Sequence, residues 1–319
     1  MSSSLTFPAR DWEDATNADA VWAFNRYEEV RARLPSATFP DRSTKAADLL
    51  ALADNFDVFI LDAFGVLNVG ERPVASAQAA VAKLAQAGKT LIVLSNGATR
   101  DDTAALAKYR SLGFDFEPWQ VCSSRNVLVT ALSAFPSHMC WGVAAPAYSN
   151  IESLGVRCCP LGDDAAVYEQ VDGFVYLSRR GWTPNRQALL HATLEGRQRP
   201  VLCGNPDLVA PLDDGFSIEP GAFAHALADA CLIEVAFLGK PFGDAFEAAL
   251  ARAAAHREAA IDKARVAMVG DTLHTDILGG AAAGLRTVLV TDQGLFRGLD
   301  VDRYVALSGI VPDFAIPTT

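Results

Sequence analysis

The sequence predicts an α/β protein: a doubly wound, Rossmann-like parallel-sheet core with an inserted α+β cap domain. Three observations carry the prediction. Short apolar runs bounded by turn residues alternate with helix-length segments near both ends of the chain. The middle, about residues 138 to 237, differs in texture, with Pro-, Gly- and Asp-rich turns between its apolar runs. The chain has 319 residues, more than one usual core.

Taken in order, residues 1–49 read as an N-terminal helical arm. "ADAVWAFNRYEEVRARLP" puts Val21, Phe24, Val30 and Leu34 near helical spacing and stops at Pro35, with Trp22 and Tyr27 as packing groups. "TKAADLLALADNF" predicts a second short helix. The core is expected over 50–137 and 238–319. "FDVFILD" reads as a buried strand, and "PVASAQAAVAKLAQAG" as a helix with Pro73 near its start and Gly88 after its end. "KTLIVLSN" is the next strand. "TRDDTAALAKYRSLG" follows as a helix with Thr99 as N-cap. Beyond the middle come the strand "EVAFLGK", the helix "GDAFEAALARAAAHRE", the strand "RVAMVGD", the helix "TDILGGAAAG" and the strand "RTVLVTD". The cap, 138–237, contributes the strands "MCWGVAA", "DGFVYLS" and "PVLCGN" and the helix "TPNRQALLHATLEG".

The formal net charge is −11, which argues against nucleic acid as a partner. No run approaches the ~20 apolar residues of a membrane span, and the polar, acidic start has no signal-peptide core. A cytoplasmic location is expected. The six cysteines form no C-x-x-C pair and read as buried thiols of a reducing compartment.

In an open parallel sheet, ligands bind beyond the carboxyl ends of the strands. Four predicted strands end in polar residues: Asp62, Ser95-Asn96, Lys240 and Asp271. Singly, each fits a turn or a cap. Together they set a nucleophile, a hydroxyl-amide pair, a cation and a second carboxylate around one crevice. A carboxylate such as Asp62 can attack phosphorus and form an aspartyl-phosphate. Asp62, Asp271 and Asp276 would repel a phosphate dianion, and a hard divalent ion such as Mg²⁺ removes that repulsion.

These residues carry a resemblance. "DAFGVL", "SNG", "GKP" and "GDTLHTD" resemble motifs I to IV of the haloacid dehalogenase superfamily, over about residues 55 to 295. Their order, and an insertion between motifs II and III, resemble its class IIA branch of small-molecule phosphatases. "CGNPDLVAP" is similar to a cap segment of that branch, in which Asn205 and Asp207 serve a turn. The resemblance implies Mg²⁺ held by Asp62, the backbone carbonyl of Phe64 and Asp271, with Asp276 acting through water. It implies phosphate held by Ser95 and the amides around Asn96 and Gly97, Lys240 offsetting charge, a small phosphorylated metabolite as substrate, and a homodimer. Arg179, Arg180 and Trp182, in one cap loop, are candidate substrate contacts.

Phe64 departs from the pattern. The family's phosphatases carry at this position an acid that protonates the leaving alcohol, a service worth roughly 10²- to 10⁴-fold. Three readings stay open: a phosphatase that is slow or uses another donor, with His274 nearest in sequence; a dehalogenase-type hydrolase; and a degenerate protein that binds a phosphorylated ligand. About thirty residues separate Asp62 from Ser95, too few for a cap between them, which disfavours the dehalogenase.

Overall fold

The computed structural model describes residues 18–319. Seven strands form one parallel sheet, in the spatial order Thr44–Lys45, Phe314–Ile316, Arg286–Val290, Val266–Gly270, Val58–Leu61, Thr90–Ser95 and Val121–Ser123. The central strands are buried on both faces, as unbroken apolar runs such as VFIL and TLIVLS require. Helices cover them, among them Ala75–Gln86 and Gly243–Arg257. The pairing registers Val269 with Leu61 and Leu61 with Val93. The strand ends at Asp62, Asp271 and Ser95 therefore fall on one edge.

A second sheet belongs to the cap. Its five parallel strands lie in the order Ala236–Phe237, Val201–Cys203, Gly173–Tyr176, Cys140–Ala144 and Arg157–Pro160. An antiparallel ribbon, Val209–Pro211 with Phe216–Ile218, and then the helix Pro220–Cys231 lie in the chain between the strands Val201–Cys203 and Ala236–Phe237.

Several local expectations are corrected. "EVAFLGK" yields the short strand Ala236–Phe237, which pairs with Val201–Cys203 in the cap sheet and not with the core, so Lys240 leaves from a connecting segment. Thr44 and Lys45 form an edge strand beside Phe314–Ile316, where a helix was expected; only Leu50–Asn55 coils, as a 3₁₀ turn. The helix Asp102–Ser111 is capped by Asp101, whose carboxylate accepts from the Ala104 N–H at 2.9 Å, and not by Thr99. The segment after Asp271 first winds as a wide π turn, Leu273–Ile277, and only then as the helix Leu278–Ala282.

Of the predicted arm, residues 1–17 lie outside the described residues. The rest opens with the helix Ala20–Glu29, capped by Asp19, and the turn Arg31–Arg33, which pack against both sheets' units, and ends in the core-sheet strand Thr44–Lys45. Tyr27 is buried and its hydroxyl accepts from the Leu208 N–H at 3.1 Å. Arg26 and Arg33 both pair with Asp229 on the cap helix. Glu28 reaches His274 in the π turn. Among the described residues, no helix is long and apolar enough to cross a membrane.

Candidate active site

Asp62 leaves its strand with its N–H donating to Val269 O at 2.9 Å, which fixes the turn that follows. Its carboxylate accepts from the Ala63 N–H at 2.7 Å. Lys240, buried in full, donates to Asp62 Oδ1 at 2.5 Å and to Asp276 Oδ1 at 2.7 Å. Asp276 has no exposed surface, and its second oxygen accepts from the Asp271 and Thr272 N–H groups, both at 3.1 Å. Asp276 thus closes the π turn and holds the lysine. Asp271 accepts from the Leu295 N–H and from the Thr272 hydroxyl, at 2.7 and 2.9 Å.

Asp62, Asp271 and Asp276 each offer an oxygen within 4.8 Å of the others. Burial raises the Asp62 carboxyl to about 6, with Lys240 opposing and Asp276 adding to the rise. Burial, with the charges of Asp276 and Asp62, pushes Asp271 well above the usual carboxylate range. Lys240 moves further up, because three carboxylates outweigh its own burial. One ammonium does not balance three acids. An all-oxygen donor set with surplus negative charge suits a small hard divalent cation.

Two glycines wall this cluster. Gly65 has φ +76°, and a Cβ there would stand 2.5 Å from Asp271 Oδ2. A Cβ on Gly294 would overlap the same carboxylate outright.

Ser95 and Asn96 stand at the neighbouring strand end. The Ser95 hydroxyl accepts from the Gly97 N–H at 3.2 Å. Asn96 accepts from the Lys240 N–H at 2.8 Å, and its amide donates to the Lys240 carbonyl at 2.9 Å and to Asp207 at 2.8 Å. It therefore ties motif II to the lysine and to the cap. Asp207 also completes the turn foreseen for it, its N–H donating to Asn205 Oδ1 at 3.0 Å. Burial pushes the Asp207 carboxyl up to about 8.

A cavity of about 220 Å³ opens over this end, bounded by Phe64, Ser95 and Gly97 below and by Arg179 and Arg180 of the cap. Arg179 pairs with Glu219 at 3.5 Å. Trp182 does not reach the cavity: it is buried in the cap, its indole N–H bonded to Gln187 at 2.8 Å and its ring edge-on to Tyr176. The apolar surface of an indole favours the cap core over a wet cleft. His274 does not line the cavity either; its Nε2 is engaged by Glu28. A larger groove, about 740 Å³, lies beside Lys45 and Val301 and contains none of the gathered groups.

Two lining residues went unforeseen. Lys108 places its ammonium over the Phe64 ring, 4.3 Å from the centroid, and 3.3 Å from Asn68 Oδ1. Burial lowers it to about 8. Tyr109 lies beside Ser95, and burial raises its phenol. Both sit on the helix after "SNG", where nothing in the local spacing distinguishes a cleft-facing lysine from a solvated one.

Residues 59–153 match the family described as haloacid dehalogenase-like hydrolase, and residues 237–315 match one described as HAD-hydrolase-like. The glycerol-3-phosphate phosphatase of Gallus gallus is 31% identical over 294 residues, spanning 83% of this chain and 90% of that protein. Human chronophin is 29% identical over 81% of this chain and 88% of its own length. The solved p-nitrophenyl phosphatase of Archaeoglobus fulgidus superposes with a TM-score of 0.68 at 23% identity, covering 83% of this chain and 97% of that one. A glycerol phosphate phosphatase of Mycobacterium tuberculosis, solved with calcium, gives 0.61 at 21% identity, covering 76% and 68%. With the motif residues assembled at one sheet edge beneath a cap, and with these relatives, the chain belongs to the haloacid dehalogenase-like hydrolases, in their class IIA phosphatase branch.

Proposed function

We propose that the chain is a Mg²⁺-dependent phosphoric monoester hydrolase acting on a small phosphorylated metabolite, with Asp62 as nucleophile. The observation that carries this is the convergence of Asp62, Asp271 and Asp276 on one point, with Lys240 bonded to two of them. Asp62, Asp271 and the Phe64 carbonyl would hold the ion, and Asp276 would support it through water. When bound, the ion neutralises phosphate charge and orients the phosphoryl group toward Asp62. Lys240 keeps Asp62 ionised and aimed, and stabilises charge on the phosphoryl oxygens as they move. Ser95 and the Gly97 amide would hold those oxygens. Arg179 and Arg180 face the rest of the substrate from the cap.

Phe64 has no proton to give, so turnover should favour leaving groups that depart as stable anions. The same residue favours a second reading, a protein that binds a phosphorylated ligand without cleaving it. Hydrolysis of p-nitrophenyl phosphate with Mg²⁺, abolished by EDTA and by Asp62→Asn, is the expected result. Binding of phosphate esters with no turnover of that substrate selects the second reading. The reading extends to a cytoplasmic homodimer, whose mass sedimentation would measure, with the cap assigned to 138–237 and the core to 50–137 and 238–319, joined by the arm's edge strand Thr44–Lys45.

A further inference from the structure

The cavity carries more positive charge than one phosphate needs. The phosphoryl end is served by Lys240, Ser95 and the cation. Lys108 is bonded to none of these groups; it lies over the Phe64 ring and beside Asn68. Among the described residues it forms no ion pair, although the chain as a whole is strongly acidic. The acids that line the cavity are already engaged: Glu71 meets Arg100 at 4.0 Å, Asp207 accepts from Asn96 at 2.8 Å, and Glu219 is held by Arg179 at 3.5 Å, by Ser217 at 2.5 Å and by Asn205 at 3.2 Å. That leaves Arg180, which lines the same space and forms no ion pair among the described residues, as a second unmatched cation. Holding an ammonium partly out of water without a counter-charge is unfavourable unless something anionic arrives to match it.

We propose that Lys108 and Arg180 form a second anion subsite, so that the substrate is a phosphate monoester whose other end is also anionic. This rests on the phosphatase reading and narrows its substrate class. Phe64 then has a positive role: its ring seats Lys108 in the cleft and leaves its charge free, whereas an acid at this position would pair with it.

The test compares 4-carboxyphenyl phosphate with its methyl ester, two substrates that differ in the charge at the far end. The wild-type protein should prefer the carboxylate in kcat/KM by about tenfold or more, and added salt should shrink the preference. Lys108→Met should cut that ratio about tenfold, chiefly through KM, while Lys108→Arg should keep most of it. A wild-type ratio at or below one overturns the proposal whether or not the variants fold. So does a Lys108→Met protein that loses equally on both substrates, since Lys108 would then serve the shared phosphate. Failure to hydrolyse p-nitrophenyl phosphate would instead reject the phosphatase reading. In that event, calorimetric binding of the same pair to the Asp62→Asn protein decides the subsite by the same ratio.

Discussion

His274 Nε2 meets Glu28 Oε1 at 2.5 Å, and its imidazole lies flat on Tyr27, the ring centroids 5.0 Å apart at an interplanar angle of 5°. Burial lowers the histidine's pKa against the pull of Glu28, which favours a neutral imidazole, and the hydrogen bond to His274 lowers the pKa of Glu28. The residue nearest in sequence to the motif IV acids thus serves as a docking point for the arm. Glu28→Ala would leave a buried N–H without an acceptor and should cost about 1–3 kcal/mol, read as a lower urea midpoint. His274→Gln should likewise lower stability while leaving the dependence of rate on leaving-group pKa unchanged. A steeper leaving-group dependence would return His274 to the proton-donor role.

Phe64→Asp should raise kcat/KM on alkyl phosphates relative to p-nitrophenyl phosphate. Phe64 is partly exposed, so the substitution should cost less than the about 3–5 kcal/mol typical of a buried phenyl. Lys108 is close enough to pair with the new carboxylate and keep it ionised, which weakens it as an acid. The single variant should therefore gain less than the roughly 10²-fold lower end of general acid catalysis, and Phe64→Asp with Lys108→Met should gain more. Equal relative rates in all three proteins would show that proton donation does not limit the reaction.

Metal binding should release protons. Burial raises the Asp62 carboxyl to about 6 and pushes that of Asp271 well above the usual carboxylate range, yet both must be ionised to hold a cation. The Mg²⁺ concentration for half-maximal activity should therefore fall as pH rises through about 6. Calorimetric heats should vary with the buffer's ionisation enthalpy. Asp271→Asn should lose Mg²⁺-dependent activity; full activity in EDTA would remove the metal from the mechanism.

Acid should weaken the cap through His225. This side chain is buried against Phe237, at 4.1 Å between ring centroids, beside Arg33 and near Arg26, with Asp229 as the nearby acid. Burial, then the two arginines, depress its pKa from 6.5 to about 3. Below 6.5 the unfolded chain takes up a proton that the folded one refuses, so stability falls from about pH 6.5 down to about 3 and is flat above. The slope is at most about 1.4 kcal/mol per pH unit. His225→Gln should flatten that limb in denaturant titrations across pH; an unchanged slope would assign it to other groups.

The core was legible because strands buried on both faces must be continuous apolar runs, and the residue after each run falls at a common edge. Asp62, Ser95 and Asp271 could be placed on that basis. Lys240 was placed beside them for the wrong local reason: its preceding strand pairs in the cap, and Asn96 and Asp276 bring the lysine in through long-range hydrogen bonds. Short edge strands such as Thr44–Lys45 escaped because two residues carry no period. Lys108 escaped because its partner is a ring 44 positions away in sequence. Trp182 was read as a ligand contact because an aromatic between arginines looks the same in sequence whether it faces a cleft or a core.

The two glycines that wall Asp271 come from opposite ends of the core, one just after the nucleophile and one near the chain's end. Neither offers a chemical group, so neither would be scored in a tally of catalytic residues. Yet a single methyl at Gly294 would occupy the carboxylate's place, and Gly294→Ala should weaken Mg²⁺ binding with every acid and the lysine intact. The same holds across ancestry. A related chain that carried a side chain at either position would have to move Asp271 to make room for it, even with all four charged residues in place. Empty space at Gly65 and Gly294 is thus as much a part of the site as the charges it makes room for.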